Sequence, residues 1–220
     1  MAMLDSDFVS LIEKYPGLNI IKQSDNYVIS GLVKLDHLYA DVRMTGVFEL
    51  EIKVSDDFPN TLPVVRELTE KIDKKYPHLY SNGQFCLASN MELKIYFSKN
   101  RDIGIFVDDY IIPYLYTYCY YEEYGVYPYG ERSHGMKGDL EYLKELFRVD
   151  DWNKVLEIMI FISSSKYRGH LLCPCQSGKK LRNCHGETIN EIINCGLVDD
   201  CKNILNTIAE RMNKENGKHN

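Results

Sequence analysis

The sequence predicts an α+β protein: an N-terminal helix, an antiparallel meander and C-terminal helices, followed by a small helical segment rich in cysteine. Three observations carry this reading. Phe8, Leu11, Ile12 and Tyr15 recur at i, i+3, i+4 and i+7, the spacing of an amphipathic helix. Phe48, Leu50, Ile52 and Val54 alternate with Glu49, Glu51 and Lys53, so one face of a strand is buried and the other wet. Three of the seven cysteines fall between Cys173 and Cys184.

In chain order, Asp5 or Ser6 is the expected cap of the first helix and Pro16-Gly17 its end. Tyr27 to Leu35 is rich in β-branched and aromatic residues and reads as a strand, followed by the strand Val47 to Val54. Phe58-Pro59-Asn60 makes a turn, and Pro63 opens a further strand through Val64, Val65 and Leu68. From Tyr76 to about Asn100 no period is clean, and irregular stretches of this length inside a compact domain tend to be functional. Residues 101–122 read as helical, with Pro113 starting, kinking or breaking the helix. A second irregular stretch runs from Gly125 to Gly138. Helices are then expected over Leu140, Leu143, Leu146 and Phe147, capped by Asp139, and over Trp152 to Ile160, capped by Asp150 or Asp151. Leu197, Cys201, Ile204, Leu205, Ile208 and Met212 mark a last amphipathic helix.

The 220 residues suit one domain of about 150 residues with an appendage. A hydrophobic share of 45% supplies a core, and a net charge of −6 speaks against non-specific nucleic-acid binding. The start Met-Ala-Met-Leu-Asp lacks a basic segment followed by an apolar one, and no apolar run approaches the roughly 20 residues of a membrane span. A cytoplasmic protein with no membrane partner is therefore expected.

Two stretches carry chemistry. In Tyr76-Pro77-His78-Leu79-Tyr80-Ser81-Asn82-Gly83-Gln84-Phe85-Cys86-Leu87, the Asn-Gly pair makes a tight turn and Cys86 follows it outside any regular strand. On this pattern Cys86 is either a small buried hydrophobe or a thiol presented to a partner. His78, eight residues upstream, can be folded back toward the sulfur. The second stretch runs from Cys173 to Gly186 with the ligand spacing C-x-C-x8-C-H: Cys173, Cys175, Cys184 and His185. Three thiolates and an imidazole complete a tetrahedral Zn2+ shell with no open position, hence a structural site. Lys179, Lys180 and Arg182 add a basic patch there. Cys119, Cys195 and Cys201 read as packing residues.

The first stretch resembles the active-site segment of ubiquitin-conjugating enzymes, His-Pro-Asn-(apolar)-Tyr, a short turn with Gly, then Cys-Leu. Pro77, Tyr80, Gly83, Cys86 and Leu87 match in register. The resemblance implies a UBC-like fold, with a four-stranded meander, over residues 1–150. A linking helix at 151–169 and the zinc motif with its C-terminal helix at 170–220 would follow. It implies that Cys86 carries a protein C-terminus as a thioester and passes it to an amine. The family's oxyanion-supporting Asn is replaced here by His78, which leaves open whether the histidine donates, acts as a base or only stabilises the loop. Tyr129-Gly130-Glu131-Arg132-Ser133-His134-Gly135 is similar to the segment that follows the conjugating core in bacterial relatives from antiphage operons of the CBASS type. There the implied substrate is a cGAS-like nucleotidyltransferase, and His134 is a second candidate site residue unless Gly130 and Gly135 merely bracket a turn. No adenylation or phosphate-loop motif is present in the sequence. Activation then falls to a separate activating enzyme or to a donor that needs none. The second stretch resembles the short metal-binding SEC-C motif at the C-terminus of the bacterial preprotein translocase ATPase, with Gln176 where that motif has Gly. A catalytically silent binding module and a cysteine hydrolase are the competing functional classes.

Overall fold

The computed structural model describes residues 5–131, Ser133 and residues 135–216. It is an α+β structure in two compact units, Met1–Arg132 and Ser133–Asn220.

The first unit opens with a 3-10 turn, Asp5–Phe8, that runs into helix α1, Val9–Lys14. The tighter turn changes the phase of the apolar positions. Phe8 and Leu11 point inward at 6% and 1% exposure, whereas Ile12, expected on the buried face, is 65% exposed. Four antiparallel strands follow in the order β1-β2-β3-β4: Leu18–Gln23, Asn26–Tyr39, Val42–Ser55 and Val64–Glu67. The strand β1 was not apparent in the residue pattern. β2 and β3 are longer than their apolar cores suggest. They are joined at Ala40-Asp41, both with positive φ (46° and 64°), the two-residue turn whose twist matches that of a hairpin. On β3 the alternation is as expected: Phe48, Leu50, Ile52 and Val54 are buried against the helices.

The stretch read as irregular up to Asn100 ends at Ser89. Helix α2, Asn90–Lys99, begins there with Ser89 Oγ accepting from the Glu92 N–H at 3.2 Å. Its buried residues Met91, Leu93, Ile95 and Phe97 alternate, which mimics the period of a strand. Asp102 caps helix α3, Ile103–Phe106, accepting from the Gly104 and Ile105 N–H groups at 2.7 and 3.1 Å. It also accepts from Ser10 N–H at 3.2 Å, tying α3 to α1. A π-helical turn at Val107–Ile111 leads into α4, Ile112–Tyr124, with Pro113 in its first turn. Proline has no N–H to donate to the carbonyl four residues back, and the wider turn absorbs that missing bond.

The second unit holds α5 (Gly135–Phe147), α6 (Trp152–Ser164), a 3-10 turn at Leu181–Asn183, α7 (Gly186–Asn194) and α8 (Val198–Asn216). The division between the units falls at residues 132–133, before residue 150, and α5 packs with α6 inside the second unit. Asp139, expected as a cap, lies inside α5, and Asp151 is the cap of α6, accepting from Asn153 N–H at 2.9 Å. The helix expected to link domains is a core helix: Val155, Ile158, Met159 and Ile162 are buried, as are Ile189, Ile192, Leu197, Cys201 and Ile204. Among the described residues no helix is long and apolar enough to cross a membrane.

Candidate functional site

Ser81-Asn82-Gly83 form a three-residue hairpin loop. Gly83 N–H donates to Tyr80 O at 2.8 Å, Gly83 sits at φ 79°, and Tyr80 N–H donates to Gln84 O at 2.9 Å. This is a β-turn closed by a left-handed residue, a position suited to glycine. Asn82 Oδ1 accepts from Gln84 N–H at 3.1 Å and reinforces it. Leu79 pairs with Phe85, and Cys86 N–H donates to His78 O at 2.8 Å.

Alternation along a paired backbone sorts these side chains. Leu79 and Phe85 face the core, where Phe85 stacks on Tyr114 with ring centroids 4.3 Å apart. His78, Tyr80, Gln84 and Cys86 belong to the other face. Tyr114 Oη donates to His78 O at 2.9 Å and pins the hairpin to α4. His78 and Cys86, expected together, are thus joined through their backbones. The His78 ring lies against the rings of Tyr76 and Tyr127, at 5.7 and 5.2 Å between centroids. Burial pushes the half-buried Cys86 thiol above its ordinary pKa, and a side-chain hydrogen bond with Tyr80 pulls it back. His134 lies outside the described residues.

In the second unit the ligand atoms of Cys173, Cys175, Cys184 and His185 all lie within 4.8 Å of one another. Cys175 Sγ and Cys184 Sγ are 3.5 Å apart, and His185 Nδ1 is 3.2 Å from Cys173 Sγ and 3.3 Å from Cys184 Sγ. A tetrahedral ion with metal–sulfur bonds near 2.3 Å would set its sulfurs about 3.8 Å apart, so the cluster is close to ligating size. His185 Nε2 is 2.7 Å from Phe147 O. A carbonyl only accepts, so Nε2 carries the hydrogen and Nδ1 presents its lone pair to the cluster. Burial opposes ionisation of Cys175, but hydrogen bonds from Ser177, Cys173 and Cys184 outweigh it and bring the thiol down to about 6. At Cys173 burial prevails and the thiol is pushed up to about 12. Loading a cation must therefore displace protons, and it weakens as pH falls. The donor set and its spacing fit a metal ion.

Residues 171–187 match the family model of the SEC-C motif. They form a SEC-C motif. No curated protein and no solved structure matches the chain. The backbone of the SEC-C motif is held by Cys173 N–H to Lys179 O at 2.9 Å and Leu181 N–H to Leu171 O at 2.7 Å. Gln176, the departure from the translocase pattern, has φ 62°. A residue with a Cβ pays about 1–2 kcal/mol there, and glycine regains part of that against its own chain entropy of about 0.5–1 kcal/mol. Gln176→Gly is thus expected to stabilise the second unit by up to about 1 kcal/mol in urea denaturation. Gln176→Ala, which keeps the Cβ, should bring no gain.

The sequence places Tyr80 in register with the active-site segment but gives it no role, and it does not point to Tyr114 at the Cys86 hairpin or to the Phe147 carbonyl behind His185. The two-residue period running back from Cys86 across the Asn82-Gly83 turn points to Tyr80. A backbone carbonyl on another helix has no sequence signature.

Proposed function

We propose that the first unit is a UBC-like acyltransferase that carries a protein C-terminus as a thioester on Cys86 and delivers it to an amine. The observation that carries this reading is the presentation of Cys86. The cysteine leaves a short, fully hydrogen-bonded hairpin whose other face is anchored by Phe85 on Tyr114, in a unit that begins with a helix and a four-stranded antiparallel meander. In loading, the Cys86 thiolate attacks the activated acyl carbon, the new C–S bond forms, and the donor's leaving group departs with its electron pair. In transfer, an amine nitrogen attacks the thioester, the C–S bond breaks, the electron pair returns to sulfur, and the amine's proton passes to water. The protein substrate belongs to the cGAS-like nucleotidyltransferases of antiphage defence, on the likeness of the Tyr129–Gly135 stretch, and loading is the work of a separate activating enzyme. Zinc in the SEC-C motif would supply folding energy and no catalytic step, since four protein ligands leave no open position. A cytoplasmic location belongs to the same proposal, because free thiolates and zinc thiolates need a reducing compartment.

A second reading is a binding module of the same fold without catalysis. It is favoured by one observation, the raised pKa of the Cys86 thiol. The test is the fate of a protein thioester presented to the purified chain. Transfer to added lysine faster than to water supports the acyltransferase. Release to water alone would make it a hydrolase, and tight binding with no covalent adduct would leave the binding module.

A further inference from the structure

We propose that Tyr80 is a catalytic hydrogen-bond donor to the Cys86 sulfur, its phenol O–H donating to the thiolate both when sulfur attacks and when it leaves. The chemistry rests on the acyltransfer reading; the hydrogen bond itself does not.

The hairpin register makes the pairing possible. Tyr80 lies opposite Gln84, so Cys86 is its diagonal neighbour on the same face, a separation of about 7–8 Å that an aromatic side chain spans. A side-chain hydrogen bond joins the two, Tyr80 being 48% exposed and the Cys86 thiol half-buried. Tyr114 is a poor alternative. It also acts electrostatically with Cys86, but its single hydroxyl hydrogen is committed to His78 O at 2.9 Å. Tyr76 and Tyr127 have hydroxyls with no hydrogen-bond partner, and their rings flank His78. Where burial works against a thiolate, one donor aimed at sulfur is the remaining local means of stabilising the anion. In loading, the O–H stays on oxygen and stabilises the attacking thiolate. In transfer, the C–S bond breaks toward sulfur, the same O–H receives the developing charge, and the amine's proton goes to water. No proton leaves Tyr80.

The experiment is the pH dependence of Cys86 alkylation by iodoacetamide, read by mass spectrometry on the Cys86 peptide of the full chain. The comparison is wild type, Tyr80→Phe and Tyr114→Phe. Loss of the donor should raise the Cys86 midpoint by about one pH unit, a tenfold loss of thiolate below it. The thiolate that remains is more nucleophilic, so the rate should drop about three- to fivefold. Tyr114→Phe loosens the hairpin but removes no hydrogen bond to sulfur, and it should leave the midpoint in place. An unshifted profile in Tyr80→Phe, or an equal shift in Tyr114→Phe, overturns the proposal. A shifted profile in Tyr80→Phe, with a wild type that never forms a thioester, would keep Tyr80 as the thiol's donor and remove the acyltransfer reading. Thioester formation with an unshifted profile would do the reverse.

Discussion

Removing the metal will open the SEC-C motif and its neighbours while the four-stranded sheet stays folded. The motif has little else to hold it. Within residues 171–187 the buried apolar side chains are Leu181, Cys173 and Cys175, and two of these are ligands. A structural zinc contributes an apparent ~10–16 kcal/mol of folding free energy in comparable small motifs. Without it, three thiols and an imidazole remain in a loop whose backbone includes Gln176 at φ 62° and Gly178 at φ 74°. The loss will spread, because His185 Nε2 donates to Phe147 O at the end of α5 and His185 immediately precedes α7. In hydrogen exchange with and without a chelator, the amides of Cys173, Leu181 and Arg182, whose partners are Lys179, Leu171 and Gly169, should lose protection first. The amides of the β2–β3 ladder should be unchanged. Global unfolding, or no change at Cys173 and Leu181, would contradict a metal-held second unit.

Gly104→Ala should destabilise the first unit by about 3 kcal/mol, the upper part of the range for overpacking. Gly104 is buried in α3, and a Cβ there would overlap the Leu11 nitrogen and the Ser10 carbonyl carbon. Both obstacles are backbone, so no side-chain rotation relieves them. The two segments cannot simply separate, because Asp102 bonds Ser10 N–H as well as the start of α3. The Asp7–Arg101 pair, with Asp7 buried and Arg101 also donating to Phe58 O at 3.3 Å, anchors the same junction. Denaturant unfolding should show a lower midpoint with an unchanged slope. A variant as stable as the wild type would mean that α1 yields easily.

What was legible in the sequence was local. Cys173, Cys175, Cys184 and His185 sit within thirteen residues, so their spacing alone describes the ligand set. Asn82-Gly83 marks a turn whatever surrounds it, and Phe48 to Val54 alternates because β3 has one buried face. What escaped depended on neighbours. The strand β1 is exposed over most of its length and carries no clean alternation. The helix α2 buries Met91, Leu93, Ile95 and Phe97, and its period was masked, although Ser89 and Glu92 spell a capping box. The boundary before α5 was hidden because the leucines of that helix do not say which core they join. At the Cys86 hairpin the turn and the thiol were visible, whereas the roles of Tyr80 and Tyr114 depend on which face of the paired backbone each occupies.

The central claim is that Cys86 carries an acyl group. The most direct measurement is intact mass under non-reducing conditions after co-expression with a cGAS-like nucleotidyltransferase and its activating partner, comparing wild type with Cys86→Ser. The account predicts an adduct on the wild type that thiols remove, and on the serine variant an ester that thiols leave in place. An adduct that survives in Cys86→Ala, or none on either wild type or serine variant, would contradict it.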